Sequence, residues 1–363
     1  MKTPALRSLF DRKKNPRVAW TGIVLMTLAL LALPFALAGV GTAWVRITNL
    51  AILYCFLALG LNIVVGFAGL LDLGYIAFYA VGAYVYALLA SPHFNIHLPF
   101  WIILPIGAAV ACLFGVLLGT PTLKLRGDYL AIVTLGFGEI IRIFLNNLSS
   151  PVNITNGPQG IYMIDPFRFG SFSFARPQTM AGLDFSGPVK YYYILLAALV
   201  LSIVINLRLQ DSRIGRAWEA IREDEIAARA MGINTRNMKL LAFAMGASFG
   251  GIAGGMFSAI QGFISPESFV LVESVMVLSM VVLGGMGNVF GVVLGALLLS
   301  FIPELLRYTV GPIQQAVFGR TLIDPEVIRM LLFGFALVLM MLFRPAGIWP
   351  SALRKRELEA RPT

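Results

Sequence analysis

The chain has 363 residues, of which 58% are hydrophobic and only 13% are charged. Because a soluble domain carries about 25% charged residues, this composition excludes an ordinary soluble protein and indicates a polytopic membrane protein. The formal net charge is +10, but the basic residues cluster at the ends of apolar segments and form no stripe with aromatic residues. They are interpreted as signals of membrane orientation, and no nucleic-acid partner is expected.

Apolar stretches of about 20 residues can each cross the roughly 30 Å hydrocarbon layer of a lipid bilayer. They predict an all-α fold with about ten transmembrane helices, with a margin of one or two. The stretches are 18–38, 45–65, 73–90, 100–119, 129–145, 191–207, 239–263, 270–283, 289–302 and 327–343. The first stretch ends in Ala36-Leu37-Ala38, which resembles a signal-peptidase site, but its length favours a retained helix over a cleaved signal.

Basic groups lie beside alternate stretches, and this pattern predicts how the chain crosses the membrane. The groups are Arg7, Arg12, Lys13, Lys14 and Arg17; Lys124 and Arg126; Arg208, Arg213, Arg216 and Arg222; and Arg344, Arg354, Lys355 and Arg356. All of them fall on one side if the helices alternate in direction, and the positive-inside rule assigns that side to the cytoplasm. We therefore expect both termini to be cytoplasmic.

This orientation divides the chain into regions. Residues 1–17 form a basic cytoplasmic N-terminus, 18–343 form the transmembrane domain, and 344–363 form a cytoplasmic tail. Within the transmembrane domain, 149–190 is a long external loop that is expected to pack on the rest of the protein. Residues 208–238 form a cytoplasmic loop.

One polar segment of the cytoplasmic loop, from Asp211 to Asn237, has the pattern of an amphipathic helix rather than of a membrane span. Asp211 or Ser212 can cap the start of this helix, and Gly232 can end it in the left-handed conformation. Two interpretations are open. The helix is either a surface linker between two spans or a docking element through which another protein acts on the membrane domain.

Several glycines repeat every four residues, and such rows let helix backbones approach one another closely. The rows are Gly246, Gly250 and Gly254; Gly251 and Gly255; and Gly287, Gly291 and Gly295. Packing within the chain is their expected role. Glycine-rich interruptions at 59–69 and at 283–288, which contains Gly284 and Gly285, also predict broken helices at a transport site.

The sequence contains no enzyme-like constellation: it has no Gly-Lys dipeptide for a phosphate-binding loop, no nucleophile elbow and no His/Cys metal set. Ionisable groups in apolar stretches are informative because they are costly in lipid. Glu139 and Arg142 lie one helical turn apart near mid-membrane, and they form either an ion pair that holds two helices or part of a pathway lining. Asp72 and Glu273 are expected near membrane interfaces, where they snorkel or cap.

Five stretches, in chain order, carry a family resemblance. They are LGLN at 59–62, LKLRGDYLAIVTLGFGEI at 123–140, GRAWEAIREDEIA at 215–227, SPESF at 265–269 and VVLGGMG at 281–287. They are similar to the permease subunits of bacterial ABC importers for branched-chain amino acids, most closely to the M-type subunits of high-affinity leucine/isoleucine/valine systems. The resemblance extends over nearly the whole chain.

The resemblance implies a transport subunit of the bacterial inner membrane rather than an enzyme. Its implied partners, besides the lipid bilayer, are a homologous second permease, two cytoplasmic ATPase subunits and a periplasmic amino-acid-binding protein. ATP and Mg are then bound by the ATPase subunits, and no cofactor is expected in this chain.

Import permeases of this general kind dock on their ATPases through a cytoplasmic loop with a Glu-Ala-Ala-x-x-x-Gly pattern. Residues Ala227 to Gly232 match the tail of that pattern, while Ile226 occupies the Glu position. The resemblance thus implies a set of ATPase-coupling residues. The set is Trp218, Ile221 and Ala228 in the ATPase groove, Arg222 and Glu225 at its rim, and Ala227 and Gly232 in the pattern itself.

The sequence leaves three other functions open. Urea and short-chain amide ABC permeases have similar sequences. A secondary transporter needs no ATPase, but it commonly has paired intramembrane acids, and only Glu139 lies deep in a predicted span. A membrane scaffold without transport would explain the glycine rows but not the polar segment.

Overall fold

The computed structural model describes residues 16–122, 125, 127–169, 172–175, 177–180 and 183–318, together with scattered positions between 331 and 349. The α-helices in this part of the chain are α1 (Pro16–Val40), α2 (Thr42–Leu61), α3 (Ile76–Leu89), α4 (Phe100–Thr122), α5 (Asp128–Asn147), α6 (Gly187–Gln210), α7 (Arg213–Glu223), α8 (Glu225–Ala230), α9 (Thr235–Gln261), α10 (Leu271–Gly284) and α11 (Val289–Phe318). A π-helix at Asn62–Phe67 continues α2, and 3-10 turns lie at Gly157–Gln159 and Pro266–Phe269.

Within the described residues, 6 helical segments are long and apolar enough to cross a membrane. They are Thr42–Phe67, Phe100–Thr122, Gly187–Gln210, Thr235–Gln261, Pro266–Gly284 and Val289–Leu306, while Val24–Val40 and Ile76–Leu89 are apolar but shorter. The prediction of a mainly helical, multi-pass membrane protein is confirmed. All predicted stretches up to 289–302 fall on helices, but 327–343 lies mostly outside the described residues, so the number of spans stays a prediction.

Helix α2 lies at the centre of the bundle. Almost all of its side chains from Ala51 onward are buried, as are those of the π-helix that follows. The helix packs against α6, α9, α10 and α11, and α9 in turn packs against α3 and α4. A span that is surrounded by protein needs no separate lipid-facing side, so it can be apolar around its whole circumference.

The glycine rows of α9 let neighbouring helices approach two of its faces. A Cβ atom added at Gly254 would lie 2.0 Å from the carbonyl oxygen of Tyr79 in α3, and one at Gly251 would lie 2.6 Å from that of Gly107 in α4. The remaining members, Gly246, Gly250 and Gly255, come similarly close to side chains of adjacent helices. Because a side chain at these positions would overlap its neighbours, the prediction that the rows serve packing within the chain is confirmed.

A second close approach joins α10 to α11. A Cβ atom at Gly284 would lie 2.3 Å from the carbonyl oxygen of Gly291, and Gly295 meets α10 in a similar way. Between the two helices, Gly285 has a φ of 119° and Gly287 a φ of 81°, which are conformations that favour glycine. The predicted interruption of a helix at this point is therefore confirmed.

Short antiparallel strand pairs lie outside the helices and are absent from the all-α prediction. They are β1 (Ala90–Ser91) with β2 (Ile96–His97), β3 (Ile161–Tyr162) with β8 (Phe263–Ile264), β4 (Arg168–Phe169) with β5 (Phe172–Ser173), and β6 (Gln178–Met180) with β7 (Leu183–Phe185). In the register of β3 and β8, Ile161 pairs with Ile264 and Tyr162 with Phe263. These pairs fasten loops to one another and leave the helical core unchanged.

The long segment at 149–190 packs on the ends of the helices, as predicted. Phe167 is fully buried, and its ring stacks on that of Phe100 with 4.4 Å between the centroids. The backbone N–H of Phe167 donates to the Tyr191 hydroxyl at 3.2 Å, and that hydroxyl donates to the carbonyl oxygen of Ala259 at 3.1 Å. The segment is thus held against α4, α6 and α9.

Helix α1 is tied to α6 next to a proline. Pro34 has no N–H, so the carbonyl oxygen of Leu30 loses its partner within the helix. The Tyr192 hydroxyl donates a hydrogen bond to that oxygen at 2.9 Å, and the Tyr193 hydroxyl donates to the carbonyl oxygen of Leu31 at 2.8 Å. Since lipid offers no donor to a freed carbonyl group, these tyrosines stabilise α1 against α6.

We expect Gly254→Ala to destabilise the protein by about 1–3 kcal/mol, because the added methyl group must displace the backbone of α3. Thermal unfolding of the detergent-purified protein, followed by loss of its monodisperse chromatographic peak, measures the change. Gly136→Ala in α5 is the matched control, since it adds the same methyl group where no atom lies within 4 Å. Equal unfolding temperatures for the two variants would contradict the packing argument.

Candidate functional site

The polar segment between α6 and α9 forms two helices, α7 and α8, which we call the two-helix unit. Between them Asp224 is extended, with φ −151° and ψ 110°. Its carboxylate accepts hydrogen bonds from the backbone N–H of Ile226 at 2.8 Å and of Ala227 at 3.1 Å. The prediction of one continuous helix is wrong, because the aspartate caps a new helix start at this point.

Both predicted ends of the segment are confirmed. The Ser212 hydroxyl accepts a hydrogen bond from the Gly215 N–H at 3.1 Å and so caps α7. After α8, Gly232 has a φ of 86°, and the Ile233 N–H donates to the carbonyl oxygen of Ala228 at 3.1 Å. The left-handed glycine therefore ends the helix and satisfies one of its last carbonyl groups.

The apolar face of the two-helix unit is buried against the same chain. Trp218 is 0% exposed, and its indole N–H donates to the carbonyl oxygen of Met238 in α9 at 2.7 Å. Ile221 and Ala228 are also buried. The prediction that these side chains fill a groove of an ATPase is wrong, because residues of this same chain already bury them. The apolar stripe of an amphipathic helix packs on the nearest apolar surface, and this chain supplies that surface itself.

Two charged residues of the unit also make contacts within the chain. Arg222 donates from Nη1 to the carbonyl oxygen of Gly66 at 2.6 Å. Glu225 forms ion pairs with Lys239 at 2.8 Å and with Arg229 at 3.2 Å. The Glu225 side chain is 16% exposed and that of Lys239 only 8%, so this pair fastens α8 to α9. Both residues are only partly buried, so the predicted position of Arg222 and Glu225 at the rim of a partner's groove stays a prediction.

A small apolar surface of the unit stays exposed to solvent. Ile226 is 71% exposed and Met231 is 83% exposed, and Ala227, Ala230 and Gly232 are exposed beside them. We call these five residues the exposed tip. Ala227 and Gly232 belong to the predicted coupling set.

Sequence reasoning missed the apolar character of the tip. Helical periodicity counted through the whole segment places Met231 on the buried face, and it fails because the helix breaks between α7 and α8. The acidic run of Glu223, Asp224 and Glu225 is the signal of that break, since an aspartate commonly caps a helix start. With the periodicity restarted there, Ile226 and Met231 become candidates for the exposed side.

The two glycine-interrupted segments meet in the structure. The Oδ1 atom of Asn62, at the start of the π-helix, accepts a hydrogen bond from the Gly287 N–H at 2.9 Å. The last carbonyl groups of a helix lack hydrogen-bond partners within the helix. Arg222 donates a hydrogen bond to one such group, the carbonyl oxygen of Gly66 near the end of the π-helix. A continuous chain of contacts therefore runs from the two-helix unit to both interruptions. Their use as a transport site stays a prediction.

The predicted pairing of Glu139 with Arg142 is present. Arg142 Nε lies 3.0 Å from Glu139 Oε2, and its Nη1 lies 3.2 Å from Glu267 Oε1. Because Glu267 lies in the 3-10 turn before α10, Arg142 links α5 to the loop that follows α9. The side chains of Arg142 and Glu139 are 25% and 33% exposed, so the pair is accessible from outside the bundle. A role in a pathway stays a prediction.

Asp72 lies in the loop between the π-helix and α3 and is fully buried, so it does not snorkel. Its carboxylate caps a turn by accepting a hydrogen bond from the Gly74 N–H at 2.9 Å. Burial raises the pKa of Asp72 to about 7, while hydrogen bonds with Gly74 and Thr134 oppose the rise. The other predicted interfacial acid, Glu273, accepts a hydrogen bond from the Tyr54 hydroxyl at 2.8 Å and so joins α10 to α2.

The contacts described above connect the surface of the protein to the interior of the bundle. Among the described residues, no group of three His, Cys, Asp or Glu side chains could hold a metal ion. The contacts instead join a solvent-exposed tip to broken helices inside the bundle through ion pairs and hydrogen bonds. A displacement of the tip would therefore also move the π-helix and the loop after α10.

Comparison with known proteins agrees with a transport role. The profile of a family described as "Branched-chain amino acid transport system / permease component" matches residues 43–341. The high-affinity branched-chain amino acid permease protein LivM of Escherichia coli K12 is 46% identical over 351 residues, which cover 93% of this chain and 76% of that protein. A probable LivM of Methanocaldococcus jannaschii is 29% identical over 255 residues, or 69% of each chain.

A second kind of permease is also similar. The LivH protein of Escherichia coli K12 is 25% identical over 258 residues, which cover 69% of this chain and 81% of that protein. No solved structure matches the chain. Because the family profile covers most of the sequence and LivM is similar along nearly all of it, the chain belongs to the family of branched-chain amino acid transport system permease components.

Proposed function

We propose that this chain is a permease subunit of an ABC importer that carries leucine, isoleucine and valine inward across the bacterial inner membrane. The observation that carries the proposal is the 46% identity to LivM over 93% of the chain. The structure supports it with a bundle of apolar helices in which two interrupted helices touch through Asn62 and Gly287. An interruption of this kind exposes backbone polar groups to a passing solute.

The proposed assembly contains several other subunits. LivM and LivH are both permease proteins of a high-affinity branched-chain amino acid system, and this chain is similar to both. Its partner is therefore a second, homologous permease. Two cytoplasmic ATPase subunits bind ATP and Mg, and a periplasmic binding protein delivers the amino acid. This chain itself carries out no bond-making step.

The proposed topology has ten spans with both termini in the cytoplasm. In this orientation the two-helix unit is also cytoplasmic. Arg213, Arg216 and Arg229 are exposed on it, which agrees with the excess of basic residues on that side of a membrane. The short strand pairs and the 149–190 segment then face the periplasm and the binding protein.

The exposed tip is the proposed contact with the ATPase. An apolar side chain as exposed as Met231 or Ile226 costs free energy in water, and a partner that covers it recovers about 1.5–3 kcal/mol for each side chain. The tip lies on a unit that is anchored by Trp218 and by the pair of Glu225 with Lys239. Movement of the ATPases is therefore transmitted to the membrane helices instead of being absorbed by a flexible loop.

The transmitted movement reaches the bundle at Arg222. This side chain bonds the Gly66 carbonyl oxygen, and the π-helix that contains Gly66 bonds Gly287 through Asn62. Closure of the ATPases would shift this connected set and rock the bundle between outward and inward access. The buried contacts hold the shape of the unit, and the exposed tip binds the partner.

We expect Ile226→Asp combined with Met231→Asp to lower the amount of co-purified ATPase at least about tenfold, because an apolar contact is replaced by desolvated charge. Co-purification from membranes and ATP-driven leucine uptake measure the effect. Val152→Asp is the control: Val152 is 62% exposed, but it lies in the 149–190 segment. Normal ATPase binding by the double variant would contradict the proposed contact.

For Arg222→Ala we expect ATPase binding to remain while the leucine transported per ATP hydrolysed falls about tenfold, because the bond to the π-helix is lost. Proteoliposomes containing the whole complex allow both quantities to be measured in one preparation. Arg216→Ala is the matched control, since Arg216 is exposed on the same helix and its one hydrogen bond among the described residues is to the nearby Asp211 carbonyl oxygen. Unchanged coupling in Arg222→Ala would exclude this path of transmission.

The substrate class is tested with the same proteoliposomes. We expect leucine uptake that requires ATP hydrolysis and the binding protein, and that isoleucine and valine inhibit by competition. Excess urea or acetamide should leave leucine uptake unchanged. Competition by urea would assign the chain to the urea and amide permeases, and uptake without ATP would assign it to the secondary transporters.

A further inference from the structure

A cavity of about 530 Å³ lies where three helix ends meet, at the opposite end of α9 from the two-helix unit. Its walls come from the N-terminal half of α2, from the first residues of α6 and from the last two turns of α9. Its volume lies within the usual range of small-molecule sites, about 300–1,000 Å³. The cavity is separate from the exposed tip and from the broken helices.

One part of the cavity is electropositive. Arg46 lines it, and no ion pair observed among the described residues includes Arg46. Arg46 is the fifth residue of α2, and Gly187 and Pro188 bring the first turn of α6 to the same cavity. Each helix N-terminus carries a partial positive charge, so a cation there gains nothing from its own helix. The arrangement favours an anion such as a carboxylate.

Another part of the wall provides an acceptor. Asn49 lines the cavity and is 2% exposed, and its Nδ2 donates to the carbonyl oxygen of Pro188 at 2.8 Å. This bond fixes the orientation of the amide, because a carbonyl oxygen accepts only from the nitrogen side. The Oδ1 atom is buried and has no hydrogen-bond partner in the described part of the chain. A buried acceptor without a donor is unfavourable, and an ammonium group bound beside it would supply the missing donor.

A third part of the cavity wall is apolar. Leu50, Leu53, Phe257 and Ile260 line the cavity. Phe257 and Ile260 lie in the last two turns of α9, whose C-terminal end carries a partial negative charge. The cavity thus combines a positive side, an acceptor with a negative helix end, and an aliphatic and aromatic surface.

We propose that this cavity binds a free amino acid with an aliphatic side chain. Arg46 and the N-terminus of α6 receive the carboxylate, Asn49 Oδ1 and the C-terminal end of α9 receive the ammonium group, and Leu53, Phe257 and Ile260 contact the side chain. The proposal rests on the proposed import function and adds a site to it within this one subunit. A solute without a carboxylate, such as urea or an amide, makes no ion pair with Arg46 and is rejected.

The test uses the whole complex in lipid nanodiscs and a readout that needs no transport. Cys55 and Cys112 are first replaced by alanine, and Gln261→Cys then places one thiol at the cavity. We expect millimolar leucine to slow labelling of this thiol by a charged maleimide at least about threefold, while leucinamide and urea have no effect. A thiol introduced by Val152→Cys, outside the cavity, should be labelled at the same rate with and without leucine.

Variants of Arg46 decide whether the site works as proposed. Arg46→Gln should raise the leucine concentration needed for protection at least about tenfold, and Arg46→Lys should retain most of the protection because the charge remains. Arg168→Gln is the control, since Arg168 is an exposed arginine in β4 away from the cavity. Protection that leucinamide matches, or that Arg46→Gln leaves unchanged, overturns the proposal, as does the absence of protection by leucine.

The same preparation separates this proposal from the import function. If the wild-type complex transports leucine with ATP but leucine gives no protection at Gln261→Cys, the site is wrong and the import function stands. If leucine protects the thiol in a complex that fails to transport it, the site is supported and the import function is wrong.

Discussion

The structure depends on one constraint: a backbone polar group inside a membrane bundle must find its partner within the protein, because lipid offers none. Three departures from regular helix geometry have such a partner. Tyr192 bonds the carbonyl group that Pro34 leaves free, and Asn62 bonds the Gly287 N–H between two helices. Arg222 bonds a carbonyl group near the end of the π-helix. Several polar side chains of this bundle therefore lie where helices break.

This constraint explains why the two-helix unit is more than a connection between spans. Trp218 and Arg222 of the unit donate hydrogen bonds to backbone carbonyl groups of the membrane helices. The largely buried ion pair of Glu225 with Lys239 fastens the second helix of the unit to α9. The unit thus behaves as an extension of the bundle beyond the membrane. A force applied to its exposed side reaches the π-helix through packed side chains and hydrogen bonds, without a flexible segment between them.

Much of the fold could be predicted from the sequence, because the length of an apolar stretch and the spacing of its glycines report directly on helix spans and helix contacts. The end of the polar helix at Gly232 and the pairing of Glu139 with Arg142 follow from equally local patterns. The helix break at Asp224 was harder to predict, because a capping side chain favours a new helix start over a continuous helix by a free energy of only about 1 kcal/mol. The burial of Trp218 could not be predicted, because an amphipathic stripe shows which side is apolar but not what covers it. The cavity could not be predicted from the sequence either, because its lining residues are distant in sequence and come together only where the ends of three helices meet.

The separation between the buried face of the two-helix unit and its exposed tip has a consequence for how such a permease changes over evolutionary time. The tip is formed by residues such as Ile226 and Met231 that no other part of the described chain requires, so substitutions there do not disturb the core. The residues that hold the unit in place are nearly all hidden from any partner. In the proposed assembly, the surface that binds the ATPase can therefore diverge while the buried residues that connect it to the membrane helices are inherited unchanged.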